Sequence, residues 1–471
     1  MNIENISVEE SINKVKSLLN EEKISPALKA AIEMLLILIT ILANRLKLNS
    51  SNSSIPPSKD PNRKRKKKPK SDKKPGGQNG HKGTRLNRFE NPDKIEFIKI
   101  DKRTLPKGTY RDAGYESRQV VDIKISRVVT EYRAQILQDE FGKKYIAPFP
   151  GDVTSDVQYG KEFKANCVYM SQFQLLPYNR IQDYFNEQLD IPISTGSIFN
   201  FNKEAFDLLE NFANVVKDKL IKSNLIHADE TGINIDGTRL WLHSASNDLW
   251  TYFYPHKKRG SDAMDEISII PKFIGILCHD HWKAYYKYKQ CSHALCNGHH
   301  LRELERVIEE DKHKWAKDMQ DLLFEIKKEI DESGEELQLV KIEKYRLKYA
   351  EVIKNANIEC PPVVREEKGK RGRIKQSKSR NLLERFINYE DDILRFMEKK
   401  IIPFTNNQAE NDIRMTKVQQ KISGCFRSME GAYIFCRIRS YLSTCRKHDI
   451  TPSKALSLLF EGKLPDFLSE T

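Results

Sequence analysis

The stretch Leu225-Ile-His-Ala-Asp-Glu-Thr-Gly-Ile-Asn-Ile-Asp-Gly-Thr-Arg-Leu-Trp-Leu-His243 decides the reading of the fold. Residues 225–228 form a short apolar run, which predicts a strand that carries Asp229 and Glu230 to its carboxyl end. Asp236-Gly237 predicts a tight hairpin turn, because Gly accepts the positive φ such turns require. A strand ending in an acid is one way for the edge of a sheet to hold a metal ion.

Downstream, strands are expected at residues 239–244 and 249–254, a helix at 261–269 and a strand at 273–278, ending in His279-Asp-His-Trp282. A strand that returns through a helix implies a right-handed crossover and a partly parallel sheet. Three antiparallel strands, a helix, then a strand with an acid at each outer end is the layout of an RNase H-like α/β core. Residues 300–349 are long, charged and helical, an excursion from the sheet that Cys360-Pro-Pro ends. A second basic loop, Lys368-Gly-Lys-Arg-Gly-Arg-Ile-Lys-Gln-Ser-Lys-Ser-Arg380, follows it. Further helices are expected from Pro403-Phe-Thr-Asn-Asn-Gln-Ala-Glu-Asn-Asp-Ile-Arg414, over 429–448, and after Thr451-Pro452.

Upstream, Tyr178-Asn-Arg-Ile-Gln-Asp-Tyr-Phe-Asn-Glu-Gln-Leu189 and Ser194-Thr-Gly-Ser-Ile-Phe-Asn-Phe-Asn202 predict two helices joined by Asp190-Ile-Pro-Ile. Such a pair suits a helix-turn-helix, although helical hairpins are also common in ordinary cores. Residues 95–149 turn to period two, which predicts a small antiparallel β module without a single cysteine. Ser25-Pro26 marks a helix start. Leu28, Ile32, Leu35, Ile39, Leu42 and Leu46 then recur as a heptad seam, readable as a dimerising coiled coil or as a core helix. Between seam and β module, Arg63, Lys64, Arg65, Lys66, Lys67 and Lys68 lead into Pro75-Gly-Gly-Gln-Asn-Gly80. Like charges at that density cannot fold alone, so a flexible arm is expected, either solubilising or phosphate-binding.

With 471 residues the chain exceeds one compact core. It carries 80 Lys and Arg against 66 Asp and Glu, a formal net charge of +14 that favours polyanionic partners. Eight scattered cysteines and the lack of a secretory apolar region point to a reducing cytosolic setting. The one long apolar run, residues 30–43, contains Glu33 and falls short of the roughly 20 residues of a membrane span, so no membrane partner is expected.

Asp229, Asp280 and Glu410 are separated by about 50 and 130 residues. Hard cations such as Mg²⁺ take oxygen ligands and keep several waters, so few carboxylates suffice. Two ions about 4 Å apart can activate an attacking oxygen and stabilise a leaving one. Each acid also has a plainer use. Glu410 could close a capping box on Asn407, Asp280 could cap a helix near Trp282, and Glu230 competes with Asp229. Arg414, Lys417 and Lys421 follow Glu410 at helical spacing, either as a phosphate-facing row or as a solvated salt-bridged face.

Several stretches together resemble the insertion-sequence sixty-six family of bacterial DDE transposases. They are Ser51-Asn-Ser-Ser-Ile-Pro-Pro-Ser58, Gly76-Gly-Gln-Asn-Gly-His-Lys-Gly83, His227-Ala-Asp-Glu-Thr-Gly232, His279-Asp-His-Trp282 and Cys296-Asn-Gly-His-His-Leu-Arg-Glu-Leu304. The last and longest run is Pro403-Phe-Thr-Asn-Asn-Gln-Ala-Glu410 with Lys417-Val-Gln-Gln-Lys-Ile-Ser-Gly-Cys-Phe-Arg-Ser428. The resemblance implies that Asp229, Asp280 and Glu410 are catalytic acids and metal ligands, with Mg²⁺ as cofactor and Mn²⁺ as substitute. The family usually carries a cysteine-pair zinc module after the basic arm. Residues 93–150 have no cysteine, which argues against structural zinc there. Cys296 and His299 match the family pattern; metal binding at the pair would have only His281, His293 or Cys291 as conceivable further ligands, and the reading taken is a structural role bracing the second acid.

The expectation is therefore a multidomain α+β protein. Its segments are a coiled-coil helix (1–50), a basic arm (51–90), a β module (91–150) and a helix-turn-helix domain (151–222). An RNase H-like core (223–450, with a helical insertion at about 300–400) and a C-terminal helix and tail (451–471) complete it. The implied function is metal-dependent cleavage and strand transfer on double-stranded DNA, both element ends and target. A homodimer or higher oligomer, helper proteins of the same element and a cytoplasmic, nucleoid-associated setting go with it. Expected DNA contacts are Arg63 to Lys68, Arg414, Lys417, Lys421 and Arg427. A nuclease without strand transfer, or a DNA-binding regulator derived from a transposase, are the alternatives; three retained acids weigh against the regulator.

Overall fold

The computed structural model describes residues 2–3, 6–21, 24–47, 49, 52, 86–334, 336–363 and 374–469. The basic arm, Arg63 to Lys68 included, lies outside them, as does most of the second basic loop. The described residues form a mixed α/β structure with one mixed five-stranded sheet.

At the N-terminus, a two-residue ladder, β1 (Asn2–Ile3) with β2 (Ile6–Ser7), precedes α1 (Val8–Glu21) and α2 (Pro26–Lys47). The Ser25 hydroxyl accepts the Leu28 N–H at 3.4 Å, so the expected cap forms. On α2, Leu28, Leu35, Ile39 and Leu42 are exposed, while Leu36, outside the expected seam, is buried.

The β module at 91–150 is smaller than its periodicity predicts. Only β3 (Ile136–Gln138) and β4 (Lys144–Ile146) pair. The runs at 95–100, 120–125 and 128–132 lie outside any strand, and Ile98 and Val120 are 96% and 94% exposed. Alternation gives a segment one apolar face, but a sheet needs a partner strand and a layer to cover that face. Neither is present for these runs among the described residues.

Helices α3 (Lys161–Val168), α4 (Tyr178–Leu189), α5 (Thr195–Leu208) and α6 (Glu210–Ile221) follow. Asp190 ends α4 at φ 52° and Ser194 caps α5, accepting the Ser197 N–H at 3.0 Å. These helices do not stand apart from the sheet. Ile198, Phe212, Val216 and Leu220 share one core with Ile226, Tyr252, Ile438 and Tyr441. The segment 151–222 is thus packed as one layer of the same body.

The sheet runs β7-β6-β5-β8-β9, from β5 (Leu225–Ile235), β6 (Thr238–Ser246), β7 (Thr251–His256), β8 (Ile276–His279) and β9 (Ser292–Leu295). The first three are antiparallel, and β8 and β9 run parallel to β5. Asp236 and Gly237 both take positive φ (48° and 73°), giving the expected turn. β5 does not end at Asp229: Thr231, Ile233 and Ile235 keep alternating and pair with β6 as far as Ile235↔Thr238. What ends is its parallel pairing to β8, at His227↔Cys278. The crossover helix α7 (Ser261–Ile267) stops two residues early, at Ser268 with φ 63°. β8 starts at Ile276, and a Cβ on Gly275 would meet the Asn224 carbonyl at 2.6 Å. Only glycine lets the two chains approach so closely.

Beyond β9 come α8 (Asn297–Arg306), α9 (Lys314–Ser333), α10 (Leu339–Glu359), α11 (Lys378–Asn388) and α12 (Glu390–Leu394). They enclose a second core, including Trp315, Tyr349 and Phe386. The chain returns through α13 (Asn407–Ser423) and α14 (Met429–Lys447) and closes with α15 (Pro452–Phe460) and α16 (Asp466–Ser469). A third core joins Ile233, Ile235 and Leu242 to Ile413 and Phe435, so α13 and α14 lie on the Ile233 face of the antiparallel strands. No helix among the described residues is long and apolar enough to cross a membrane.

Candidate active site

Asp229 stands two residues beyond the last parallel pair on β5, and Asp280 two beyond its partner on β8. The two acids therefore occupy matching register positions where the strands part. Side chains alternate, so Asp229 shares a face with Ile233, the face covered by α13.

Glu410 reaches the same place from α13. Asn406 fixes the start of that helix: its amide nitrogen donates to the Ala228 carbonyl at 2.9 Å, and His227 Nδ1 lies 2.7 Å from its Oδ1. With the amide nitrogen used this way, the oxygen is the acceptor and His227 the donor. The backbone N–H of Asn406 also donates to Cys296 Sγ at 3.1 Å. The expected capping box is not formed, because the N-cap is Asn406 and its side chain makes no cap bond. Glu410 therefore lies one residue beyond the capping-box position, its side chain 36% exposed, with Arg302 Nη2 at 3.7 Å.

The electrostatics tie the three together. Burial pushes the Asp229 carboxyl well above the usual carboxylate range, and the charges of Glu230, Asp280 and Glu410 push it further. A half-buried acid crowded by acids is where a divalent cation relieves most repulsion, so the donor set fits one. Asp280 Oδ1 accepts the Trp282 N–H at 3.0 Å, a local turn bond; it does not cap the following 3₁₀ turn, Lys283–Lys287, whose N-cap is Trp282.

Glu230 is differently employed. Arg259 donates to its Oε1 from Nε and Nη2 at 2.8 and 2.6 Å, and the Tyr285 hydroxyl donates to Oε2 at 2.6 Å. Its carboxylate ties β5 to Arg259, just ahead of α7, and to Tyr285, after Asp280. The sequence reading passed over Arg302, Asn406 and the Arg259–Tyr285 pair. Arg302 and Asn406 sit within the quoted motifs, but nothing in their spacing says whom they meet.

Cys296, His299 and Glu410 bring possible ligand atoms within 4.8 Å of one another. Arg414, Lys417, Lys421 and Arg427 are all exposed, and Lys417 Nζ donates to the Gly232 carbonyl at 2.7 Å. On α5 the exposed face carries Asn200, Lys203 and Asp207, and Lys203 pairs with Asp207 at 3.5 Å, so its charge is balanced.

The sheet thus brings Asp229 and Asp280 to matching positions beside its central strands, and α13, far along the chain, adds Glu410. A family model described as Transposase IS66 family matches residues 156–434, more than half of the chain, and the chain belongs to that family. A second model, for a family of unknown function (DUF6444), matches residues 2–87. No curated protein matches the chain. Membership supports a transposase role, and with it DNA as partner and the divalent-metal use general among DDE transposases.

Proposed function

We propose that this chain is a DDE transposase that binds the ends of its own mobile element and cuts and rejoins DNA with Asp229, Asp280 and Glu410. The observation that carries the reading is the matched position of Asp229 and Asp280 where β5 and β8 part, with the Glu410 helix pinned to β5 by the Asn406–Ala228 bond. The strand order, with three antiparallel strands followed by two parallel ones, supports an RNase H-like core.

Asp229, Asp280 and Glu410 would hold the Mg²⁺ ions. Bound ions supply activation of the attacking oxygen and stabilisation of the leaving one. The chain's own part is positional. Asn406 holds the start of α13 against β5, Arg302 steadies Glu410, and Glu230 with Arg259 and Tyr285 braces the strand beneath Asp229. Water attacks first and frees a 3′-hydroxyl, which then attacks target DNA in line. Phosphates would be met by Arg63 to Lys68 and by Arg414, Lys417, Lys421 and Arg427, whereas α4 and α5 contribute the helix-turn-helix. The exposed leucine seam on α2 pairs two copies, so that two element ends are handled together.

The test is incubation of purified protein with its element's end DNA and Mg²⁺, followed by strand mapping. Nicks at the element boundary with joined products support the reading. Cleavage without joining leaves a nuclease, and binding without cleavage leaves a regulator.

A further inference from the structure

Glu410 has a second set of neighbours that the carboxylate chemistry does not use. Cys296 is the N-cap of α8 and His299 its third residue, so both point from the first turn toward Glu410. Cys296 Sγ accepts the Asn406 N–H and sits at a helix N-terminus, while burial raises the metal-free thiol above its ordinary value, so an ion bound there would have to displace its proton. His299 Nδ1 is buried and has no hydrogen-bond partner among the described residues. A ring nitrogen, a sulfur and a carboxylate oxygen thus converge within 4.8 Å. Chemically this set is unlike the three carboxylates beside it. Thiolate and imidazole select zinc and its neighbours, whereas carboxylates and water suit magnesium.

We propose that Cys296, His299 and Glu410 form a site for Zn²⁺ or a similarly soft divalent ion, and that zinc bound there withdraws Glu410 from the magnesium chemistry. The second half rests on the reading of Glu410 as a catalytic acid; the first does not. Bond lengths of about 2.3 Å to sulfur and about 2.0–2.2 Å to nitrogen or oxygen put tetrahedral ligand atoms roughly 3.3–3.8 Å apart. From atoms within 4.8 Å of one another the set must draw in to that spacing, and Glu410, 36% exposed with Arg302 at 3.7 Å, has room to turn. Three protein ligands leave a fourth tetrahedral position for a water.

The probe is Co²⁺, added to metal-free, DNA-free full-length protein while the thiolate-to-cobalt absorption is followed. One equivalent should produce the band, and Zn²⁺ should abolish it by displacement. Cys296→Ser should remove the band, and His299→Ala and Glu410→Gln should weaken cobalt binding at least by the roughly 10–100-fold that losing a supporting partner costs. Cys425→Ser, which alters the half-exposed thiol elsewhere, should keep it. Circular dichroism checks that each variant is folded. In the second arm, Zn²⁺ should inhibit Mg²⁺-dependent cleavage by the wild type, and Cys296→Ser should need at least about tenfold more zinc for the same inhibition. Absence of a thiolate band in the wild type, or a band that survives both Cys296→Ser and His299→Ala, overturns the site. A band indifferent to Glu410→Gln overturns the sharing. A protein that binds cobalt through these residues but never cuts DNA with Mg²⁺ removes the transposase reading and leaves the metal site standing.

Discussion

Two regions of this chain carry the same alternating apolar pattern and come to opposite ends. In the sheet, Ile226, Leu277 and Cys278 are completely buried. At 95–132, Ile98, Val120 and Ile123 stand almost fully in solvent. The difference is what lies on either side. The central sheet has α6, α15 and much of α14 in one shared core, and α13 with other residues of α14 in another. The 86–158 stretch has one short hairpin and a single 3₁₀ turn, Lys102–Thr104, among its regular structure. Burial of each large apolar side chain is worth about 1.5–3 kcal/mol, but only where a second layer exists to receive it.

The sharpest way to separate the regions is to alter the acids that the buried one supports. Asp280→Asn and Glu410→Gln should each lower cleavage of end DNA by about 10²–10³-fold or more, the scale on which one preorganised electrostatic group acts. Retained end binding, read by gel shift, distinguishes lost chemistry from lost fold. Cleavage near the wild-type rate by either purified variant would sink the assignment.

Next in size is the state of assembly, which depends on a helix outside the sheet. Leu28, Leu35, Ile39 and Leu42 leave an apolar row exposed on α2. Leu35→Lys with Leu42→Lys puts like charges into that row and should halve the mass measured by light scattering, while the melting of the sheet region is unchanged. A wild type that is monomeric with and without end DNA ends the coiled-coil reading.

Glu230→Gln tests the brace under the site. The change replaces a buried carboxylate that accepts three hydrogen bonds, two of them from Arg259. Hydrogen bonds to charged groups are worth about 1.5–3 kcal/mol, so the urea midpoint should fall by a corresponding amount. An unchanged midpoint would mean that the ion pair contributes nothing to the fold.

Asp229→Asn should act in the other direction in metal-free protein. The folded state holds this carboxyl above its ordinary value, through burial first and the neighbouring acids second. Its contribution to stability is therefore present below the unfolded value, near about 3.9, and is lost as pH rises through the raised folded value. At neutral pH the amide should raise metal-free stability by on the order of 1 kcal/mol, and below about pH 4 the difference should vanish. For the wild type, the thermal stabilisation given by Mg²⁺ should grow with pH over the same window, because the ion displaces a proton. A melting gain from Mg²⁺ that is independent of pH would contradict the crowded-acid picture.

How much of this was legible in the sequence follows the same division. The Asp236-Gly237 turn, helix α4 and the Ser25 cap are set by residues within a few positions of each other, and they form where local chemistry predicts. The fifth strand, Ser292–Leu295, was missed because it is four residues long and owes its existence to β8 beside it. Helix α1 was passed over as well. Within the candidate site, the three acids stood out by chemical type. Their supports did not, since Asn406 meets Ala228 and Arg302 meets Glu410 across more than a hundred residues. At 95–132 the periodicity carries no pairing, because pairing needs a partner strand that the alternation itself cannot supply.

The smallest expected effect tests that last point directly. Ile98 and Val120 are 96% and 94% exposed, so neither has apolar contact to lose. Ile98→Ser and Val120→Ser, separately or together, should change the urea midpoint by no more than the roughly 0.5 kcal/mol typical of surface sites. Leu277→Ser, at a fully buried position of the sheet, serves as the contrast. It both opens a cavity and buries a hydroxyl, and should cost about 2–5 kcal/mol. If the exposed pair instead lowered stability by more than about 1 kcal/mol, the 95–132 runs would have a packed partner. The two regions would then differ in what covers them and not in whether they are covered.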